Sequence, residues 1–193
     1  MYSIKDTVTC TTEINKSKFI CKIVRLNDIN QVEEELNIVK REFKDATHYC
    51  YAYIFKNVKR FSDDGEPGGT AGMPILNVIE TNNLANILVI VIRYYGGVKL
   101  GAGGLVRAYT NSTVNALNIG NVIELLLGKK IKIVFEYDQE KTIKQRLPNI
   151  KILEKIYLEK IEYLILINNI DYETLKELNI DVDIVENDIY LEK

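Results

Sequence analysis

The sequence has 193 residues, of which 47% are hydrophobic and 27% charged, with a formal net charge of −2. A chain of this size forms a core without disulfides, as one domain or two, and its near-neutral charge excludes a global field that recruits nucleic acid or an anionic membrane. No apolar run approaches the length of a membrane span, and the start MYSIKDTV lacks the charged-then-apolar order of a signal peptide, so a cytoplasmic protein without membrane contact is expected.

In chain order, the β-branched residues from Ser3 to Thr12, the turn-like cluster Glu13 to Lys18 and the run Phe19 to Leu26 predict a hairpin. Asp28 offers a helix cap with Gln31 as its capping-box partner. Ile29, Val32, Leu36, Val39 and Phe43 then recur at the spacing of one buried helical stripe. Glu33, Glu34 and Glu35 near the start and Lys40, Arg41 and Lys44 near the end complement the helix dipole. His48, the one histidine, precedes the strand Tyr49 to Phe55. Alternation puts Tyr49, Tyr51, Tyr53 and Phe55 on one face and Cys50, Ala52 and Ile54 on the other. Aromatic rows on sheets can stack bases, but they more commonly pack beneath helices. Cys10, Cys21 and Cys50 are widely spaced and read as buried small hydrophobes rather than a disulfide framework or zinc site.

The stretch Phe61 to Tyr109 holds nine of the eleven glycines. Glycine loses more backbone entropy on folding than any other residue, so such crowding needs a reason. Asn86 to Ile92 is short and continuously apolar, as a buried central strand should be, and Arg93 stands at its end. Gly65 to Gly72 opens a predicted helix from Met73 to Thr81, with Pro74 in its first turn. Tyr94 to Gly104 leads into another, from Gly103 to about Asn118. Helix starts present unpaired N–H groups and partial positive charge, so each glycine loop is a candidate anion site. The candidate residues are Gly68, Gly69 and Thr70 in the first, and Arg93, Lys99, Gly101, Gly103, Gly104 and Arg107 around the second. The alternative is a purely structural role in tight turns and close packing. Neither loop matches a nucleotide cradle: GEPGGTAG lacks the Lys-Ser/Thr ending of a Walker loop, and Val106 replaces the third glycine of a dinucleotide fingerprint.

Past this block, Asn121 to Leu127 reads as a strand and Gly128-Lys129-Lys130 as a junction, which divides the chain into domains 1–128 and 129–193. The second part carries 11 basic and 14 acidic residues, which weighs against a general nucleic-acid clamp. A strand through Ile131, Ile133, Phe135 and Tyr137 is followed by a helix from Gln139 to Leu147, ended by Pro148. Strands at Ile150 to Leu158 and Ile161 to Asn168, a helix capped by Asp171, and a strand from Asp183 to Leu191 with a turn at Asn187-Asp188 complete a βαββαβ order, the split βαβ of ferredoxin-like folds.

The combination FSDDGEPGGTAGMPIL and VIRYYGGVKLGAGGLVRAY resembles the YigZ/IMPACT family across the whole block. The resemblance implies an α+β protein of two domains, each a two-layer α/β sandwich. The first would resemble the ribosomal-protein-type domain four of elongation factor G, and the second the ferredoxin-like last domain of that factor. Eukaryotic members regulate translation by competing for the activator of a stress-responsive initiation-factor kinase. They carry an additional amino-terminal domain, and that partner is not carried over.

Three functional classes follow. A binding protein would hold RNA or the ribosome through the glycine loops, with Arg93 and Arg107 gripping phosphate; against it, Arg93 pairing with Asp63 or Asp64 would merely lock the loops together. A metal-dependent hydrolase would gather His48, Asp63, Asp64 and Glu66 around a divalent ion, although no nucleophile motif accompanies them. A protein-interaction module in translational control would need neither. The favoured reading is a translation-associated binding or regulatory protein, with no cofactor, metal or catalytic residue assigned.

Overall fold

The apolar run after Asn86 is the centre of a sheet: Ile87–Tyr94 is buried at every position through Arg93 and has a strand hydrogen-bonded along each side. The computed structural model describes residues 1–148 and 150–193, and the chain divides into two units, Met1–Ile123 and Glu124–Lys193. The first contains β1 (Tyr2–Ile4), β2 (Val8–Ile14), β3 (Ser17–Arg25), α1 (Gln31–Glu42), β4 (His48–Phe55), β5 (Val58–Ser62), α2 (Gly72–Thr81), β6 (Ile87–Tyr94) and α3 (Gly101–Ile119). Five of its strands form one antiparallel sheet in the order β2-β3-β6-β4-β5.

Alternation sends Cys21, Ile23, Cys50, Ala52, Val89 and Val91 to the face covered by α2 and α3. Ile20, Leu88, Ile90 and Ile92 go to the other face, where Val32 and Val39 of α1 pack and the row Tyr49, Tyr51, Tyr53, Phe55 is partly buried beside them. The first unit is thus helix, sheet, helix, a three-layer arrangement in place of the expected two-layer sandwich. The cause lies in β6, which is apolar on both sides and so needs cover on both.

Local chemistry explains the element ends. The β2–β3 turn is Asn15-Lys16, both at positive φ, the left-handed pair a two-residue hairpin turn requires. β1 stands apart from this hairpin and bonds the segment after α2, from Tyr2 N to Asn83 O and from Ala85 N to Tyr2 O. Gln31 does reach back to the Asp28 N–H, at 3.1 Å, but α1 starts at Gln31 itself, after Asn30. Strand β5 was not anticipated; it pairs with β4 at the sheet edge.

The second unit has β7 (Val122–Phe135, whose first residues belong to the first unit), α4 (Glu140–Arg146), β8 (Lys151–Tyr157), β9 (Ile161–Asn168), α5 (Asn169–Lys176) and β10 (Asp181–Glu192). Its strands are antiparallel in the order β10-β7-β9-β8, which with the βαββαβ chain order is a split-βαβ arrangement. Ile131, Ile133, Phe135, Ile161, Tyr163, Ile165 and Ile167 face Ile143 of α4 and Leu175 of α5. Where a junction was expected, β7 runs unbroken through Gly128. The glycine is needed for close approach: a Cβ there would lie 2.4 Å from the Ile167 carbonyl oxygen of β9. The α5 cap is Asn168, whose Oδ1 accepts from the Ile170 and Asp171 N–H groups, rather than Asp171. The expected turn at Asn187-Asp188 is an irregularity within β10, with Asp188 at φ 54°. Among the described residues no helix is long and apolar enough to cross a membrane.

Candidate functional site

The two glycine-opened helix starts differ. Asp63, in the loop after β5, turns its carboxylate onto the start of α2. Its Oδ2 accepts from the Gly69 N–H at 2.8 Å, and its Oδ1 from Ala71 at 3.0 Å and Gly72 at 2.8 Å. The Thr70 hydroxyl and N–H both turn back to the Pro67 carbonyl. The anion that this helix start attracts is therefore the chain's own, and Gly68, Gly69 and Thr70 form a loop closed on itself. Asp64, at φ 41°, points the other way and accepts from the Tyr49 N–H at 2.6 Å. The two aspartates do not converge, and among the described residues no group of three or more His, Cys, Asp or Glu is placed to hold a metal ion. The metal cluster of His48, Asp63, Asp64 and Glu66 is not assembled, because backbone N–H groups take both aspartates.

Glu66 instead enters the core. Its side chain is 3% exposed and its Oε1 accepts from Arg93 Nη1 at 2.6 Å and from the Tyr109 hydroxyl at 2.7 Å. The Arg93 guanidinium lies over the Phe19 and Tyr95 rings, each centroid 5.4 Å away, with Nη2 3.4 Å from Ser17 Oγ. Arginine suits this slot because its planar cation both forks to a carboxylate and stacks on aromatic faces. Arg93 is one residue inside β6 rather than at its end, and it is 4% exposed. It is thus a locking residue, as the structural alternative had it, although its partner is Glu66 and not Asp63 or Asp64. The Phe19 and Tyr109 rings meet edge to face at 5.3 Å. Cys50 Sγ lies 3.0 Å from the Asp63 carbonyl oxygen and 3.3 Å from the Tyr109 hydroxyl. Burial pushes the Cys50 thiol up to about 12, and burial, with Cys50 next to it, pushes the Tyr109 phenol up as well. Both stay neutral donors at physiological pH.

His48 sits at the edge of this network. Its Nδ1 is 2.8 Å from the Asp64 carbonyl oxygen. A carbonyl only accepts, so that nitrogen carries a proton, and in the neutral tautomer that this fixes, Nε2 is the acceptor. Nε2 is 3.9 Å from Glu66 Oε2, the carboxylate oxygen that Arg93 and Tyr109 do not use.

The α3 start is built otherwise. Among the described residues no side chain caps it, no acidic residue lies in its first turn, and a Cβ on Gly101 or Gly103 would meet nothing within 4 Å. The loop before it is fixed by Gly96, where a Cβ would fall 2.0 Å from the Lys16 backbone. Its Tyr95 N–H also donates to Thr47 Oγ1 at 3.0 Å. The result is a cleft of about 480 Å³ whose lining includes His48, Glu66, Arg93, Tyr95, Lys99 and Gly101. Of the predicted residues, the structure brings Arg93, Lys99 and Gly101 together here, with His48 and Glu66 from the set considered for a metal. Arg107 is exposed on α3 outside this lining. Sequence reasoning missed Tyr95 and Tyr109; the latter's signal was its place one helical stripe from Leu105 and Ala108, which marks it as buried.

The Impact N-terminal domain model matches residues 15–117. The IMPACT family member YvyE of Bacillus subtilis (strain 168) is 34% identical over 179 residues, covering 91% of this chain and 79% of that protein. The IMPACT family member YigZ of Escherichia coli (strain K12) is 39% identical over 115 residues, and the match spans 57% of this chain but only 56% of that relative's length. A crystal structure described as that of a hypothetical protein superposes with a TM-score of 0.68 at 27% identity, covering 96% of this chain and 97% of that one.

Proposed function

The chain belongs to the IMPACT family, and on that footing we propose that it is a translation-associated binding protein that engages RNA or the ribosome by holding phosphate at the open start of α3. The family supports the translational setting, since its eukaryotic members regulate translation. The reading also keeps the expected likeness of the two domains to domains of elongation factor G, divided near Gly128. The observation that carries the phosphate reading is that, among the described residues, no side chain is hydrogen-bonded to the N–H groups opening α3, and its first turn has no carboxylate. Lys99 precedes them and Arg107 follows, both exposed. A helix start, a lysine just before it and an exposed arginine on the same helix supply the three kinds of donor that phosphates accept from. Arg93 acts behind this surface, as the buried strut that fixes the loop.

The test is co-sedimentation of the full chain with ribosomes and with bulk RNA across a salt series, comparing wild type with the double variant Lys99→Ala, Arg107→Ala. Binding should weaken as salt rises, and the variant should lose affinity with a log–log slope shallower by roughly 0.7 per contact removed on single strands. A variant that sediments like wild type would put the contacts elsewhere. Absence of binding to either target at low salt would favour a protein partner in translational control.

A further inference from the structure

The cleft behind the α3 start contains more than a phosphate contact needs. At about 480 Å³ it has the size of a small-molecule site, and its lining is of three kinds. Lys99, Gly101 and Ala102 offer a cation and the uncapped start of a 19-residue helix. Arg93, 4% exposed, also lines it, and among the described residues its buried Nε has no hydrogen-bond partner. This part favours an anion.

His48 and Glu66 make the second part. With His48 Nδ1 committed to the Asp64 carbonyl, Nε2 and Oε2 face each other 3.9 Å apart, too far for a hydrogen bond. A hydroxyl or amino group beside them would donate to Oε2, and to Nε2 where the imidazole is neutral. Such a donor would satisfy a carboxylate oxygen on a side chain that is 3% exposed. The third part is apolar: Tyr95, 45% exposed, with Pro67 and Leu105. An exposed tyrosine face is a platform for a flat ring, and stacking on it tolerates any base.

The geometry points to a nucleoside monophosphate as the occupant of this cleft. Its phosphate lies at Lys99 and the α3 start, the two ribose hydroxyls donate to Glu66 Oε2 and His48 Nε2, one to each, and the base rests against Tyr95. The inference deepens the phosphate reading above and rests on it for the α3 contact alone. The same chemistry is presented by a free nucleotide and by the phosphorylated end of an RNA.

Isothermal titration of the full chain with AMP, adenosine and inorganic phosphate tests it, on wild type, Lys99→Ala and Tyr95→Leu. Both side chains are exposed, and melting curves establish that the variants fold. AMP should bind, with adenosine and phosphate each at least about tenfold weaker, because each omits a contact that stacking or charge makes worth that factor. Lys99→Ala should weaken AMP about tenfold and leave adenosine unchanged, whereas Tyr95→Leu should weaken both alike. No AMP binding, or AMP affinity equal in all three proteins, overturns the site. A short oligoribonucleotide that displaces AMP only when it carries a terminal phosphate makes an RNA end the source. One that never displaces AMP makes it a free nucleotide, and both uphold the site. Ribosome sedimentation without AMP binding would remove the pocket and keep the surface reading; AMP binding without sedimentation would do the reverse.

Discussion

The starts of α2 and α3 carry the same sequence signal and have opposite states. Each is entered through a glycine-rich loop, and each presents N–H groups with a partial positive charge. At α2, Asp63 answers those of Ala71 and Gly72, and takes the Gly69 N–H of the loop before them. At α3, among the described residues, no side chain does so, and the stretch from Tyr94 to Tyr109 contains no acidic residue that could. A glycine-opened helix start is thus a ligand site only where the chain withholds its own carboxylate. Between the two starts stands the Glu66–Arg93 pair, which joins the loop before α2 to the strand before α3.

That pair is where the comparison breaks most severely. Glu66→Ala leaves the Arg93 cation buried with, among the described residues, only Ser17 Oγ as a hydrogen-bond partner, and removing one member of a buried pair costs about 3–5 kcal/mol. Chemical denaturation should show a loss of that size, and thiol-labelling of Cys50, which lies in the same network, should accelerate. A loss under about 1 kcal/mol, the range of exposed ion pairs, would mean that the pair is hydrated and not a strut.

Opening the closed start is the next largest effect. Asp63→Ala removes the acceptor for three N–H groups, and a lost cap costs up to about 2 kcal/mol. Asp63→Asn keeps one carbonyl acceptor and should recover part of it. If phosphate or sulfate in the buffer stabilises Asp63→Ala more than wild type, by melting temperature, the vacated α2 start has become an anion site like that of α3. Equal stabilisation of the two proteins would show that the loop collapses once its carboxylate is gone.

The sequence carried the sheet but not this distinction. Continuous apolarity marked β6 as buried, and period-two alternation placed the two faces of β4 correctly. The same run of β6 also implied cover on both faces, which the two-layer expectation overlooked. Strand β5 escaped because its Val58-Lys59-Arg60-Phe61-Ser62 shows no strict alternation and it lies at an edge, where polar residues cost little. Gly128 looked like a junction because its cause, the Ile167 carbonyl, lies 39 positions away in another strand. The site was legible as a set of residue types and not as pairings. Asp63, Asp64 and Glu66 are near neighbours in sequence, yet they serve a helix start, a strand N–H and a buried arginine. Left-handed φ angles at Asp64 and Gly65 separate them, and a one-dimensional pattern does not reveal that rotation. Arg93 and Glu66 are 27 residues apart, and only the register of β6 against β3 and β4 brings them together.

The mildest change sharpens the comparison by giving α3 what α2 already has. Ala102 is exposed, second in the helix and part of the cleft lining. A carboxylate in a first turn stabilises a helix by about 0.5 kcal/mol, so Ala102→Glu should melt roughly 1–2 °C higher for a chain of this length. The same carboxylate would occupy the N–H groups that an incoming phosphate needs and repel it. Stability should rise while salt-sensitive binding to RNA or ribosomes falls, a combination that damage to the fold cannot produce. Ala102→Gln separates charge from bulk: it should leave binding closer to wild type and give no gain in melting temperature from the dipole. Should Ala102→Glu bind as tightly as wild type, the open start of α3 would not be where anions are held, and Arg107 on the outer face of the helix would become the residue to pursue.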